Sequence, residues 1–499
     1  MLPRPRADLK PGSPEFATTP LIKPTGFREY DCRWLYPQEI NKPGFRAMGL
    51  GLGTLVHEMS VRPDIAVGHD YRSYSEELKT ELVAGLMASG CAVRDIGMGL
   101  SPTSYFAQFA LDCPAVAMVT ASHNENGWCG IKMGVARPLT LGPDEIGKLK
   151  SIVLEGRWRE RPGGSHTRHP EIAEAYIADL AKGGQLDRKL KVVVDCGNGT
   201  AGAFAPKALA GIGVEIVPLN CELDWNFPHY NPNPEDLKML EALGHAVRAH
   251  KADIGLAFDG DGDRCGVVDN EGHEIFADKV GVMLARDLAA RIPNAVFVVD
   301  VKSTGLYLTD PVLKARGVRI DYWKTGHSYI KRRAAELKAV AGIEKSGHYF
   351  FNPPIGRGYD DGIVAAVTIL RMLDRQGGPS LADLYRSLPK TYGSPTMAPY
   401  CADEKKYAVV EAIARDYADA KANGTKVIGS KIAELVTVNG VRVILDDGTW
   451  GLVRASSNKP SLVVVVESPV SEERMRAMFA EIDGRLKRFP EVGAYDQKI

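Results

Sequence analysis

The sequence lacks an excess of charge of either sign. Its 499 residues include 62 Lys and Arg against 62 Asp and Glu, so the formal net charge is zero. A neutral chain does not offer the basic surface of a general nucleic-acid-binding protein, and we expect no nucleic-acid partner. Apolar residues make up 44% of the chain and charged residues 25%, which is typical of a globular protein.

The sequence also lacks a long apolar run. No segment approaches the roughly 18 apolar residues that span a bilayer, and the basic N-terminus has no apolar stretch of a signal peptide. Eight cysteines without a C-x-x-C pair argue against a disulfide scaffold and against a zinc ribbon. These absences predict a cytoplasmic protein with no membrane partner.

Short β-branched runs alternate with polar loops and helical stretches through most of the chain. This alternation predicts α/β domains with mixed, largely parallel sheets, in which ligands bind at the carboxyl ends of the strands. The last hundred residues differ, because Asn439-Gly440 and Asp447-Gly448 each lie between β-rich segments. Such pairs are typical of hairpins and predict an α+β domain with an antiparallel sheet.

Proline and glycine clusters divide the chain into five segments. Residues 1–18 are interpreted as a cloning-derived or disordered tail, because residues 12–16 look like a translated cloning site. Three similar α/β domains and the C-terminal α+β domain are predicted over residues 19–168, 169–272, 273–390 and 391–499.

The clearest motif is Asp259-Gly260-Asp261-Gly262-Asp263-Arg264, directly after an apolar strand. Glycines between the carboxylates allow the backbone to curl until the three side chains converge. Converged carboxylates repel one another and need a cation, and oxygen ligands suit Mg²⁺, Mn²⁺ or Ca²⁺. An EF-hand is excluded because its sixth position would be Arg264 and its twelfth Asn270. A solvated acidic turn is the simpler alternative.

A second motif, Thr120-Ala121-Ser122-His123-Asn124, also follows an apolar strand. Taken alone, Ser122 and His123 could form an ordinary turn, and the segment is not the G-x-S-x-G elbow of hydrolases. Together with a metal loop, however, a serine hydroxyl indicates phosphoryl transfer, in which the cation neutralises charge on the phosphate oxygens.

Two further loops carry polar side chains suited to a phosphosugar. The segment Glu344-Lys345-Ser346-Gly347-His348 offers short groups for vicinal hydroxyls, although alone it is an ambiguous loop. The segment 454–460 combines a guanidinium, hydroxyls, an amide and backbone N–H groups, which suit a phosphate. An ordinary polar turn is its alternative interpretation.

A rival interpretation comes from Gly197-Asn198-Gly199-Thr200-Ala201-Gly202, which matches the dinucleotide motif G-x-G-x-x-G between a strand and a helix. Glu222 could be its acidic partner. An NAD-dependent oxidoreductase is therefore the alternative of a different class. It leaves the aspartate, serine and arginine loops unexplained, and a tight structural turn explains the glycines equally well.

The four loops, in their order along the chain, resemble the motifs of the α-D-phosphohexomutases, and most of all the bacterial phosphomannomutase/phosphoglucomutase branch. The likeness runs from about residue 27 to the last helix. It implies four domains around a central cleft and a phosphoserine enzyme. The implied reaction interconverts hexose 1-phosphate and hexose 6-phosphate, of mannose, glucose or both, through a hexose 1,6-bisphosphate that also serves as activator. Glucosamine phosphate is an alternative substrate, and a monomer or a dimer is expected.

The resemblance also assigns residues to roles. It implies one Mg²⁺ per chain, bound by Ser122, Asp259, Asp261 and Asp263. The implied catalytic residues are the phosphoserine Ser122, with Lys132 as general acid/base and Arg33, His123 and Arg264 around the transferred group. The implied substrate-binding residues are Tyr30, Lys302, His327, Glu344, Ser346, His348, Arg454, Ser456, Ser457 and Asn458.

Four positions depart from the usual family pattern. Trp34 stands where a glycine is usual, Glu125 where a proline is common, and Cys129 where an asparagine is common. Lys345 occupies a sugar-loop position that is more often Met or Gln.

Overall fold

A computed structural model describes residues 2–457 and 459–499 and divides the chain into two compact units. The first unit comprises Met1–Ile275 and Gly347–Leu381, and the second comprises Phe276–Ser346 and Ala382–Ile499. Asn458, predicted to bind phosphate, lies outside the described residues. No described helix is long and apolar enough to cross a membrane.

The N-terminal part of the first unit contains a six-stranded sheet, ordered β1-β5-β4-β2-β3-β6. β2 is parallel to β3 and β4, whereas β5 is antiparallel to β1 and β4. Apolar faces of the helices and strands form one core. The elements are β1 (Cys32–Leu35), α1 (Lys42–Glu58), β2 (Asp64–His69), α2 (Ser75–Ala88), β3 (Ala92–Met98), α3 (Ser101–Ala110), β4 (Ala115–Val119), β5 (Trp128–Gly134), α4 (Pro143–Leu154) and β6 (Ser165–Arg168).

A second sheet of the first unit is ordered β11-β10-β9-β7-β8. β7 is parallel to both β8 and β9. Strands β9 and β10 are buried along their whole length, and in β7 only Lys191 is partly exposed, as expected for a sheet covered on both faces. The elements are α5 (Glu171–Leu180), β7 (Lys191–Asp195), α6 (Ala205–Ala210), β8 (Glu215–Leu219), α7 (Leu237–His250), β9 (Ile254–Phe258), β10 (Cys265–Asp269) and β11 (Glu274–Ile275).

The third segment of the chain begins the second unit. Its strand β12 is central and runs parallel to β13 on one side and β14 on the other. The elements are α8 (Ala277–Ala289), β12 (Val296–Asp300), α9 (Leu306–Thr309), α10 (Pro311–Ala315), β13 (Arg319–Trp323), α11 (His327–Glu336), β14 (Ala341–Ile343), β15 (Tyr349–Phe351), α12 (Gly362–Gln376) and α13 (Leu381–Arg386). By residue number, β15 and α12 belong to the first unit.

The C-terminal segment forms an antiparallel sheet, ordered β16-β20-β19-β18-β17. Alternate residues of its strands pack against the helices, and the opposite face carries a separate apolar cluster with Val301. The elements are β16 (Tyr392–Gly393), α14 (Asp403–Ala422), β17 (Ile432–Val436), β18 (Val441–Leu445), β19 (Trp450–Ala455), β20 (Leu462–Ser468) and α15 (Glu472–Leu486). The predicted fold class, largely parallel α/β domains followed by an antiparallel α+β domain, is confirmed.

Residues 2–18, predicted to be a tail, make specific contacts with the first sheet region. The side-chain amide of Asn41 donates to the carbonyl oxygen of Phe16 at 2.7 Å, and Arg6 N donates to the carbonyl oxygen of Pro20 at 2.8 Å. Leu9 is buried. The origin of this segment stays a prediction.

Candidate active site

Ser122 occupies a constrained position just after β4. Its φ is 52°, a left-handed conformation that is uncommon outside glycine. Its N–H donates to Thr120 Oγ1 at 2.9 Å, and its carbonyl oxygen accepts from Arg72 at 3.1 Å. The Ser122 hydroxyl donates to Asp259 Oδ2 at 2.9 Å. A Cβ on Gly260 would lie 2.5 Å from the Ser122 carbonyl oxygen, so only glycine permits this approach of the two loops.

The three aspartates of the metal loop converge between the antiparallel strands β9 and β10. Asp259, Asp261 and Asp263 are fully buried, and one oxygen from each lies within 4.8 Å of the others. Within residues 2–457 and 459–499, Asp261 Oδ1 and Asp263 Oδ1 have no hydrogen-bond partner. Buried carboxylate oxygens normally find partners, so this donor set fits a hard divalent cation that takes oxygen ligands.

Lys132, on β5, neutralises part of the negative charge of the three aspartates. The Lys132 ammonium lies 2.7 Å from Asp261 Oδ2 and also contacts Asp263 Oδ2. Burial opposes the charged forms, but the ion pairs outweigh it, so the pKa of Asp261 is lowered and that of Lys132 is raised. Burial, together with the carboxylates of Asp263 and Asp261, raises the pKa of Asp259 well above its ordinary value.

Arg264 connects the metal loop to His348. Its Nε donates to His348 Nε2 at 3.0 Å, so that ring nitrogen must be the unprotonated acceptor. The other ring nitrogen, Nδ1, lies 3.1 Å from Asp360 Oδ2 and 3.6 Å from Asp263 Oδ1. The backbone N–H of Arg264 donates to Asp259 Oδ1 at 3.2 Å. The guanidinium and the imidazole are thus held beside the carboxylates.

The remaining predicted residues of the first unit surround the same cluster. His123 Nδ1 lies 3.3 Å from Ser122 Oγ. Arg33, on β1, forms a buried ion pair with Asp31 at 2.9 Å, and its charge contributes to the lowered pKa of Asp261. Tyr30 is buried. The structure therefore collects in one unit the residues predicted for phosphoryl transfer.

Four of the predicted substrate-binding residues follow parallel strands of the second unit. Lys302 follows β12, His327 begins α11 after β13, and Glu344 and Ser346 follow β14. Because these strands are parallel, their following loops lie at the same edge of the sheet. Glu344 accepts a hydrogen bond from the N–H of Gly326. The E-x-S-G-H motif therefore contributes its first residues to the second unit, whereas His348 belongs to the first.

The predicted phosphate loop lies at the end of β19. Arg454 is buried, its Nη1 donates to the carbonyl oxygen of Ala455 at 2.8 Å, and its Nε has no partner among the residues that the structure describes. Lys406 of α14 donates to the carbonyl oxygens of Ser456 at 2.5 Å and Lys459 at 3.2 Å. Ser457 is buried in the same loop.

The predicted Asn439-Gly440 hairpin turn contacts both β19 and the loop between β13 and α11. Asn439 Oδ1 accepts a hydrogen bond from the N–H of Thr325 at 3.3 Å. Gly440 has φ 77°, and a Cβ there would lie 2.6 Å from Arg454 Cβ. A single turn thus contacts both the loop before His327 and the strand that carries Arg454.

Sequence reasoning missed several residues of the site. Ser101 donates to Asp261 Oδ2 at 2.6 Å, Asp70 accepts from the N–H of Ala121 at 3.2 Å, and Arg72 supports the Ser122 loop. Asp70 directly follows β2, and a carboxylate at a strand end was the available signal for it. Ser101 opens α3 before Pro102 and is indistinguishable in sequence from an ordinary helix start.

The departures from the family pattern lie mostly in packed positions. Trp34 is fully buried, and its indole N–H donates to the carbonyl oxygen of Lys23 at 2.8 Å. Cys129 is buried on β5, and the carbonyl oxygen of Glu125 accepts from Arg72 at 3.1 Å. Lys345 is buried, with its ammonium 3.6 Å from Asp278 and 4.1 Å from the centre of the Phe276 ring.

The glycine-rich segment of the rival interpretation packs against the metal loop. Thr200 N donates to the carbonyl oxygen of Gly260 at 3.0 Å, and a Cβ on Gly199 would lie 2.9 Å from Gly260 Cα. The following α6 has only six residues. The glycines allow two loops to approach closely, as the structural-turn interpretation expected.

A buried serine next to a three-carboxylate cluster, in α/β domains followed by an antiparallel domain, defines a phosphoryl-transfer enzyme of the phosphohexomutase type. Sequence models of all four family domains match the chain. Phosphoglucomutase/phosphomannomutase alpha/beta/alpha domains I, II and III match residues 24–160, 174–272 and 276–392, and the C-terminal domain matches residues 400–485. The chain belongs to the phosphoglucomutase/phosphomannomutase family.

Individual relatives agree with this placement. The chain is 35% identical over 462 residues to a phosphomannomutase/phosphoglucomutase of Pseudomonas syringae pv. tomato, covering 92% of this chain and 95% of the relative. It is 32% identical to a phosphoglucomutase of Neisseria gonorrhoeae, covering 91% and 96%. The crystal structure of a phosphoglucomutase/phosphomannomutase family protein from Burkholderia thailandensis superposes with a TM-score of 0.83 at 31% identity, covering 94% and 98%.

Proposed function

We propose that the protein transfers a phosphoryl group reversibly between the 1- and 6-positions of a hexose phosphate, with mannose, glucose or both as the sugar. The observation that carries this proposal is the Ser122 hydroxyl, held 2.9 Å from Asp259. Beside it lie two carboxylates, each with an oxygen that has no hydrogen-bond partner among the described residues. Family membership supports the same reaction class, and the names of the relatives support the two sugars.

The reaction proceeds in two matched transfers. In the first, the sugar hydroxyl forms a bond to the phosphorus of phospho-Ser122 while the P–Oγ bond breaks. The hydroxyl loses its proton, and Ser122 Oγ regains one. The product is a hexose 1,6-bisphosphate. In the second transfer, Ser122 Oγ forms a bond to the phosphorus of the other phosphate while the bond from that phosphorus to the sugar oxygen breaks. Ser122 loses its proton, the sugar oxygen gains one, the phosphoserine is restored and the isomeric monophosphate is released. Loss of the bisphosphate between the steps leaves Ser122 unphosphorylated, so added bisphosphate acts as an activator.

The residues around Ser122 have different roles in the two transfers. Asp259, Asp261 and Asp263 would bind one Mg²⁺ per chain, together with an oxygen of the seryl phosphate. The cation would neutralise charge that develops on the phosphate oxygens. Arg264 and His123 contact the transferring group, and Lys132 exchanges the proton, since its ammonium lies beside the cluster. Excluding water from this buried site protects the phosphoserine from hydrolysis.

The substrate would be held by the loops of the second unit. Glu344 and Ser346 offer acceptors and donors to sugar hydroxyls, with Lys302 and His327 nearby. Arg454, Ser456 and Ser457 would bind the phosphate that is not being transferred, because guanidinium and hydroxyl donors suit its oxygens.

The test is turnover of glucose, mannose and glucosamine 1-phosphates by the purified protein, followed by ³¹P NMR, with intact mass to detect phosphoserine. We expect Ser122→Ala to lose the added phosphate mass and to reduce turnover by roughly three or more orders of magnitude, because the covalent carrier is gone. Ser89→Ala, another buried serine whose hydroxyl donates to a backbone carbonyl, is the matched control and should keep normal turnover. Near-normal mutase activity of Ser122→Ala would contradict the proposal.

A further inference from the structure

Asp300 is the last residue of β12, the central strand between β13 and β14. In the two parallel pairings Asp300 is opposite Trp323, and Val299 is opposite Ile343. The loops 302–304, 325–327 and 344–346 therefore all begin beside the same carboxylate. Asp300 is fully buried.

Both carboxylate oxygens of Asp300 bond to these loops. Oδ1 accepts from the Ser303 hydroxyl at 2.6 Å and from the backbone N–H of Lys345 at 3.2 Å. Oδ2 accepts from the Thr325 hydroxyl at 3.0 Å and lies 3.9 Å from the Lys302 ammonium. One side chain thus contacts three loops that are separate in sequence.

We propose that Asp300 is a positioning residue that holds the three loops in the arrangement that binds the phosphosugar. This inference rests on the proposed function, because these loops carry Lys302, His327 and Glu344. Two of the groups that face Asp300, the Lys345 backbone N–H and the Lys302 ammonium, can only donate. The position therefore requires a side chain whose two terminal atoms both accept hydrogen bonds. An asparagine at this position would place its NH₂ group against the Lys345 N–H or the Lys302 ammonium.

A matched variant at Asp310 distinguishes an effect on loop positioning from a general loss of stability. Asp310 is another fully buried aspartate of the same unit; it caps α10 through the N–H groups of Val312 and Leu313 and pairs with Arg286. Within the described residues, its side-chain hydrogen bonds and ion pairs are to Arg286, Val312 and Leu313, which lie outside the three loops. Asp310→Asn therefore reports the cost of removing a buried carboxylate without disturbing the loops.

Steady-state kinetics and hydrogen exchange on the full-length protein test the proposal. We expect Asp300→Asn to raise KM for the hexose 1-phosphate by about 10- to 100-fold, with a smaller change in kcat, because hydrogen bonds to a charged group are lost. Amide exchange at Gly326 and Lys345 should accelerate without any substrate present. Asp310→Asn should lower the melting temperature but keep KM and the exchange of these two amides unchanged.

A second variant keeps the test available if Asp300→Asn does not fold. Thr325→Val removes one of the hydroxyls bonded to Asp300 and keeps the side-chain shape; we expect a KM rise of about 3- to 10-fold and no further rise when it is combined with Asp300→Asn. Wild-type KM and wild-type amide exchange in folded Asp300→Asn, or in Thr325→Val if the former does not fold, would overturn the inference. Wild-type protein that turns over no hexose phosphate would instead overturn the proposed function, while the exchange measurement would still report on the loops.

Discussion

A cluster of three buried carboxylates in the first unit and a single buried carboxylate in the second differ in how completely they are hydrogen-bonded. In the first unit, Asp259, Asp261 and Asp263 share a small volume, and two of their oxygens have no partner in the described part of the chain. In the second unit, Glu467 receives five hydrogen bonds, and both of its oxygens are used.

The Glu467 network is closed on itself. Its carboxylate accepts from Lys279 at 2.5 Å, from Thr304 at 3.0 Å and from the indole N–H of Trp450 at 3.0 Å. Burial would raise the pKa of Glu467, but the Lys279 charge and these donors lower it to about 2. The group is ionised and compensated at neutral pH, with no place left for a ligand.

The contrast shows how a buried carboxylate that binds a ligand differs from one that only stabilises the fold. Unpaired oxygens among like charges cost free energy that only a bound cation can recover, whereas a fully bonded carboxylate already stabilises the fold. Asp361 is a third case in the first unit. It accepts from the Tyr176 hydroxyl and from two N–H groups at the start of α12, all of them neutral donors.

The largest expected effect tests the unpaired cluster. Asp259→Asn should reduce mutase turnover by roughly 10²- to 10³-fold, because the cation loses a charged ligand. Without divalent cations the variant should be at least as stable as the wild type, since burial and the neighbouring carboxylates already disfavour a charge on Asp259. Adding Mg²⁺ should raise the melting temperature of the wild type only. A variant with full turnover and a normal rise in melting temperature on adding Mg²⁺ would remove the distinction between the aspartate cluster and Glu467.

The next effect tests the closed network. Lys279→Met leaves Glu467 charged and without its cation, which should lower the free energy of unfolding by about 3–5 kcal/mol in chemical denaturation. Adding Glu467→Gln should recover part of this loss, because the double variant contains no uncompensated charge. If the single variant is as stable as the wild type, the ion pair is not the element that stabilises this region.

The smallest effect concerns the pH dependence of Asp361. Burial raises its pKa from 3.8 to about 7, so between these values the folded protein holds a proton that the unfolded chain has lost. The stability that this proton contributes is therefore complete below about pH 4 and is lost as the pH rises to about 7, at about 1.4 kcal/mol per pH unit. We expect Asp361→Asn to flatten the curve of unfolding free energy over this range by a total of roughly 4 kcal/mol. Parallel curves for the two proteins would contradict the raised pKa.

Much of the site could be predicted because its signals are local. The metal loop, the Ser122 loop and the Arg454 loop each combine a strand end with chemically distinctive side chains within a few residues. Ser101, Arg72 and Asp300 could not be assigned, because a serine, an arginine or an aspartate near a strand or helix end is common. Their roles depend on partners elsewhere, such as Asp261, which lies 160 residues from Ser101.

The sequence by itself determined the domain types and the chemistry of the loops, because strand and helix periodicity and the residues that follow each strand are properties of short segments. The tertiary structure alone decided which charges meet. Lys132 reaches Asp261 across 129 residues and Lys279 reaches Glu467 across 188, through strand orders that no local pattern specifies. Burial then decided which carboxylates are fully bonded and which keep oxygens for a cation, because in the low dielectric of the interior every unpaired polar atom is costly.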